Sequence, residues 1–222
     1  MRLRAENSET AALILAAGMS SRMGNFKPMM SIGGMSIAER VFAAFRQAGV
    51  TRIIVVTGYR AEQLERHLAG SGVVFLRNER YAETQMFDSV CIGLRYLRGK
   101  CSRVLFTPVD IPLFTASTVG ALLKSDAKLA CPVYHGAHGH PTLISADLID
   151  GILSDSGENG LRGALFRSGV PLKQIIVEDP GVLHDADTPE DYQKLLRYHE
   201  EQLISPEASA QEETTFFKEG IP

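Results

Sequence analysis

The sequence predicts an α/β fold: a single three-layer α/β/α domain on a Rossmann-like, mostly parallel, twisted sheet. Three observations lead there. Apolar runs of strand length at 13–15, 52–57, 73–76 and 103–110 alternate with segments whose apolar residues recur every three or four positions. The intervals between these runs are long enough for helical crossovers, which parallel strands need and hairpins do not. At 222 residues and 45% hydrophobic content, the chain suits one such domain with a sizeable core.

The elements follow in order. The first strand runs into a loop of small residues at 16–24. Ser36 and Glu39 have the spacing of a capping box, and Ile37, Val41, Ala44, Phe45 and Ala48 then lie on one helical face until Gly49 ends the helix. A second strand, 52–57, stops at Gly58; a short helix at 61–68 and a third strand at 73–76 follow. Residues 78–89 form a polar connection, and helical spacing resumes to Leu97. The fourth strand, 103–110, ends in an aspartate and is halted by Ile111-Pro112. A helix starts at Thr115 or Ser117 and reaches Leu123. Strands at 129–134 and 142–145 flank the loop His135-Gly136-Ala137-His138-Gly139-His140-Pro141. Helices at 146–153 and 160–167 precede a late strand at 172–178. Thr188 caps the last helix, with Pro189 at its first position and Glu190 and Asp191 in its first turn, where the helix dipole favours acids. The domain is expected to span 1–203. Residues 204–222 read as a polar, linker-like and disordered tail, with Phe216 and Phe217 near its end.

Composition narrows the function. A formal charge of −3 argues against a general polyanion binder, so no nucleic-acid partner is expected. Three cysteines, Cys91, Cys101 and Cys131, lack C-x-x-C spacing and suggest reduced thiols rather than a disulfide framework. The N-terminal residues carry no apolar signal region, and no run is long enough to cross a bilayer. The expectation is a cytoplasmic protein without a membrane partner.

The chemistry concentrates after the first strand. Leu15-Ala16-Ala17-Gly18-Met19-Ser20-Ser21-Arg22-Met23-Gly24 leads into Asn25-Phe26-Lys27-Pro28. Small residues let backbone N–H groups approach a ligand and form an anion-binding concavity, to which Arg22 adds a forked cation and Lys27 a point charge. The Walker pattern and the G-x-G-x-x-G fingerprint are both absent. In an open parallel sheet ligands bind beyond the carboxyl ends of the strands, so Asp110 should share a rim with Arg22 and Lys27. A carboxylate there either holds Mg²⁺ among phosphates or caps a turn before proline. Asp185 and Asp187 point the same way if their segment is extended. His135, His138 and His140 could suggest zinc, though without a nearby Cys or helical spacing.

The pattern L-A-A-G-x-S-x-R-M-G-x-x-K at 15–27 resembles the signature of the molybdenum-cofactor nucleotidyltransferases, the family of molybdopterin cytidylyl- and guanylyltransferases, and matches it at every fixed position. Asp185-Ala186-Asp187-Thr188-Pro189-Glu190-Asp191 is similar to the D-x-D-T-P-E-D of the cytidylyl branch. The resemblance covers roughly 12–200. It implies a catalytic set of Arg22, Lys27 and Asp110, with Asp110 and Asp187 as Mg²⁺ ligands. It also implies nucleotide contacts at Leu15, Ala16, Ala17, Gly18, Ser20, Ser21, Arg22, Lys27, Thr57, Asn78 and Ser89, and acceptor contacts at His140, Pro141 and Asp185. Two positions depart from the pattern: Gln85 stands where a glycine is usual, and Asp88 where a serine is usual.

The implied reaction is Mg²⁺-dependent transfer of CMP from CTP to the terminal phosphate of molybdopterin, with possible handover to a molybdoenzyme maturation partner. L-A-A-G rather than L-A-G-G favours the cytidylyl branch over a guanylyl-transferring relative. A sugar-1-phosphate nucleotidyltransferase is the enzymatic rival, because Phe26-Lys27-Pro28-Met29-Met30 is similar to that group's P-K-P-L-L run. A nucleotide-binding module that has lost catalysis is the rival from another class.

Overall fold

The computed structural model describes residues 9–19 and 22–204. Ten strands and seven helices alternate along them: β1 (Thr10–Ala16), β2 (Ser31–Ile32), β3 (Met35–Ser36), α1 (Ile37–Gln47), β4 (Arg52–Thr57), α2 (Ala61–His67), β5 (Val74–Arg77), α3 (Met86–Leu97), β6 (Arg103–Pro108), α4 (Ala116–Leu123), β7 (Leu129–Tyr134), β8 (Ala137–His138), β9 (Thr142–Ser145), α5 (Ile149–Leu153), α6 (Gly160–Arg167), β10 (Lys173–Ile176) and α7 (Pro189–Ile204). The main sheet has the order β10-β7-β9-β6-β1-β4-β5, with β8 paired to β7. Within this sheet only the pairings of β9 and β8 are antiparallel among the described residues; β2 and β3 form a separate antiparallel pair. The expected three-layer, mostly parallel sheet is therefore the observed one, with the reversed β9 inserted between β6 and β7.

The period of two along β1 divides the core between the two faces of the sheet. Ala12, Ile14 and Ala16 face one layer, with Val41 and Phe45 of α1, Leu64 of α2, Leu122 of α4 and Leu195 of α7. Ala11, Leu13 and Leu15 face the other, with Val90 and Leu94 of α3, Ile149 of α5 and Ala164 of α6. Every residue of β1 is buried, as an interior strand between β6 and β4 requires. Gly93 lets α3 lie close on it, since a Cβ there would sit 2.3 Å from a Leu13 methyl.

Helix starts follow their capping chemistry. Ser36 and Glu39 form the expected reciprocal cap, at 3.2 and 2.7 Å. Thr115, not Ser117, caps α4. Helix α3 begins at Met86, earlier than the polar run 78–89 suggests. Asp88 accepts from the Gln85 backbone N–H at 2.8 Å and closes that helix end. The two departures from the family pattern thus fall together on one helix cap. Helix α7 extends to Ile204; residues 205–222, the rest of the expected tail, and residues 1–8 lie outside the described residues. Among the described residues no helix is long and apolar enough to cross a membrane.

Candidate active site

Register brings the site together. Ala16 of β1 pairs with Thr57 of β4, and Leu15 with Pro108 of β6, so three carboxyl ends share one rim. The Val109 N–H donates to the Leu15 carbonyl at 2.9 Å and ties the segment before Asp110 to the end of β1. The Asp110 carbonyl then accepts from the Ala186 N–H at 2.9 Å, fixing the Asp185–Asp187 turn beside it. Lys27 opens a single 3-10 turn, Lys27–Met29, with Pro28 at its start. Phe26, buried and edge-on to Tyr59 with centroids 5.8 Å apart, anchors that turn to the core.

Four charged side chains meet there. The Lys27 ammonium donates to Asp187 Oδ1 at 2.7 Å and lies 3.3 Å from Asp110 Oδ2. Arg22 Nη2 donates to Asp187 Oδ2 at 2.9 Å. Lys27 has only 10% of its side chain exposed, whereas Arg22 has 70% and faces solvent. The Lys27 hydrogen bond, opposed by partial burial and aided by Arg22, holds the Asp187 carboxyl below its ordinary value. Asp185 is pushed the other way, by loss of hydration and by the charges of Asp187, Asp110 and Asp191.

A cleft opens from this centre. Leu15, Ala16, Ala17 and Gly18 form its floor, with Lys27 and Asp110 at one end and Ser89 on the wall. A Cβ at Gly18 would meet no atom within 4 Å, so the backbone there is bare toward the cleft. Gly58 is close-packed instead: a Cβ would lie 2.7 Å from both the Ala17 carbonyl and Tyr81 Cβ. Tyr81, Thr84, Gln85 and Met86 complete the wall and were not singled out from sequence as ligand contacts. The signal available for them was their place in the connection after a parallel strand's carboxyl end.

Two expected contacts lie behind that wall. Thr57 is fully buried and its hydroxyl donates to Glu65 at 3.0 Å, so it does not line the cleft. Asn78 is also buried; its amide donates to Thr84 and Ser89, both at 2.9 Å, and so holds two wall hydroxyls from behind. Ser20 and Ser21 lie outside the described residues. Pro141 is buried. His140 is partly buried, with Nδ1 3.5 Å from the Phe106 carbonyl and its ring edge-on to Phe106. Burial lowers its pKa, against the Phe106 carbonyl and the Asp110 charge. The three histidines of this loop have different neighbours: His135 stacks on Tyr134 and His138 meets Gln174. Among the described residues no group of three or more His, Cys, Asp or Glu is placed to hold a metal. Asp110 and Asp187 nonetheless fit a hard cation that takes oxygen ligands and completes its shell with water and phosphate oxygens, because a single ammonium reaches both carboxylates.

A model of the MobA-like NTP transferase domain matches residues 12–172, well over half of the chain. The chain belongs to that family. It is 28% identical over 183 residues to the molybdenum cofactor cytidylyltransferase of Escherichia coli K12, covering 81% of this chain and 92% of that one. A nucleotidyl transferase from Methanothermobacter superposes with a TM-score of 0.75 at 24% identity, covering 87% of this chain and 98% of that one. Rv0371c of Mycobacterium tuberculosis, solved as a complex with manganese, superposes with a TM-score of 0.71 at 20% identity, covering 86% and 99%. As a member of the MobA-like family the chain is a nucleotidyltransferase, and the molybdopterin-nucleotidyltransferase resemblance read from 15–27 is borne out.

Proposed function

We propose that this protein transfers CMP from CTP to the terminal phosphate of molybdopterin, with Mg²⁺ as cofactor and pyrophosphate as the second product. The observation that carries the reading is the meeting of Lys27 with Asp110 and Asp187 at the mouth of a cleft floored by Gly18. The choice of CTP and molybdopterin rests on the similarity to the cytidylyltransferase, which spans nearly the whole of that relative.

The residues divide the work. Backbone N–H groups of Ala16, Ala17 and Gly18 receive the triphosphate, and Lys27 and Arg22 orient it and balance charge that builds on the leaving pyrophosphate. Asp110 and Asp187 would hold Mg²⁺, which would supply charge neutralisation to the reacting phosphates. The acceptor needs no strong general base, since a phosphate monoester with a second pKa of about 6 is largely ionised near neutral pH. Its phosphate attacks the α-phosphorus in line, and catalysis reduces to positioning and charge stabilisation. Thr84, Gln85 and Ser89 offer polar groups to the nucleoside, while His140, Pro141 and Asp185 flank the acceptor side. On this reading the reaction runs in the cytoplasm and its product passes to a molybdoenzyme maturation partner.

Incubation with each of the four triphosphates and Mg²⁺, with either molybdopterin or a sugar 1-phosphate as acceptor, followed by identification of the product, tests this. The cytosine dinucleotide is the expected product. A guanine dinucleotide, or product formed only with a sugar 1-phosphate, would reassign the substrates within the family.

A further inference from the structure

The two carboxylates assigned to the metal are already paired with the protein's own cations. Both oxygens of Asp187 are taken, Oδ1 by Lys27 and Oδ2 by Arg22, and Lys27 also reaches Asp110 Oδ2. Two cations thus contact these two carboxylates directly, with the Asp185 carboxyl near enough to feel the charges of Asp187 and Asp110, and the Lys27 ammonium is largely shielded from water. A divalent ion approaching this cluster is repelled by both cations, and its carboxylate ligands must first give up their partners. A triphosphate changes the balance, because it offers Lys27 and Arg22 an anionic partner of higher charge. Once they turn to it, Asp110 and Asp187 are left with two uncompensated charges, which suits a dication.

We propose that Lys27 and Arg22 act as internal counter-ions that bar the metal from Asp110 and Asp187 until a triphosphate draws them away, so that metal and nucleotide enter as one unit. This rests on the reading that the triphosphate binds in this cleft. The coupling is reciprocal: whatever factor the nucleotide adds to metal affinity, the metal adds to nucleotide affinity. It also protects the free enzyme, whose two carboxylates stay held by its own cations rather than by whatever divalent ion is at hand.

Titration of the nucleotide-free protein with Mn²⁺, followed by calorimetry and by loss of the free-ion electron-spin signal, tests the proposal directly. The wild-type protein should not saturate below about 1 mM Mn²⁺. Lys27→Met and Arg22→Gln should each bind Mn²⁺ at least about tenfold more tightly. Lys27→Arg keeps the charge and should stay weak. Arg22 is mostly solvent-exposed, so Arg22→Gln keeps the test open even if Lys27→Met folds poorly. Tight Mn²⁺ binding by the wild type, or no gain in Arg22→Gln and in folded Lys27→Met, would overturn the proposal. Because the titration contains no nucleotide, it is separable from the functional reading. Inactivity with every triphosphate would reject the reading and leave the Mn²⁺ result standing.

Discussion

The Lys27 ammonium and the Asp187 carboxylate lie 2.7 Å apart although 160 residues separate them in the chain. One belongs to the turn after β1 and the other to the turn before α7, so the pair closes the ends of the domain onto the rim formed by the strands' carboxyl ends. Asp187→Asn keeps the shape and removes the charge. It should lower turnover at saturating triphosphate by about 100-fold or more, with little change in melting temperature, since the site is partly solvated. Arg22→Gln, at the solvent-facing edge, should act mainly on KM for the triphosphate. Steady-state kinetics on the two variants separates these effects.

Asn78 supports the cleft wall without touching the cleft. Asn78→Ala removes the donors to Thr84 and Ser89 and leaves the Arg80 N–H without the acceptor it now has at 3.1 Å. The expected cost is about 1–3 kcal/mol of stability, measurable by urea unfolding, with a raised KM for the triphosphate. An unchanged midpoint would show that the wall is held by other means.

His140 gives the protein a predictable response to acid. Burial keeps its ring neutral below the ordinary value of 6.5, so the unfolded chain takes up a proton that the folded protein refuses. Stability should therefore fall as pH drops below 6.5, and this contribution should stop falling at the lower folded pKa. Titration of the His140 ring by NMR checks the cause: a midpoint at or above 6.5 contradicts it. His140→Gln should flatten part of the slope in urea midpoints between pH 7 and 5.

Much of this was legible in the sequence, because long buried runs and loop motifs report local physics. The strand at 52–57, the strand expected at 103–110 and observed to Pro108, the cap at Ser36 and Glu39, and the rim of Arg22, Lys27 and Asp110 follow from periodicity, capping and topology, whereas Asp187 joins that rim only through the family resemblance. Features created by tertiary pairing were not legible. The β2–β3 hairpin has strands too short to carry a period. Asp179 carries no motif or period that singles it out in the sequence. In the fold it is buried and accepts from the Thr115 N–H and hydroxyl, 64 residues upstream, and from the Thr118 hydroxyl, 61 residues upstream. Asn78 and Thr57 are of the right type and near the right rim, yet their side chains point into the protein, and only coordinates decide that. Gln85 and Asp88 read as departures at the nucleotide site until the α3 cap joins them.

The most direct test of the account is magnesium-dependent pyrophosphate release from CTP and molybdopterin by the wild type and Asp110→Ala, with the melting temperature of each recorded. The account predicts robust release by the wild type and none above background from Asp110→Ala, with melting temperatures within a few degrees. Undiminished release from a folded Asp110→Ala would contradict it.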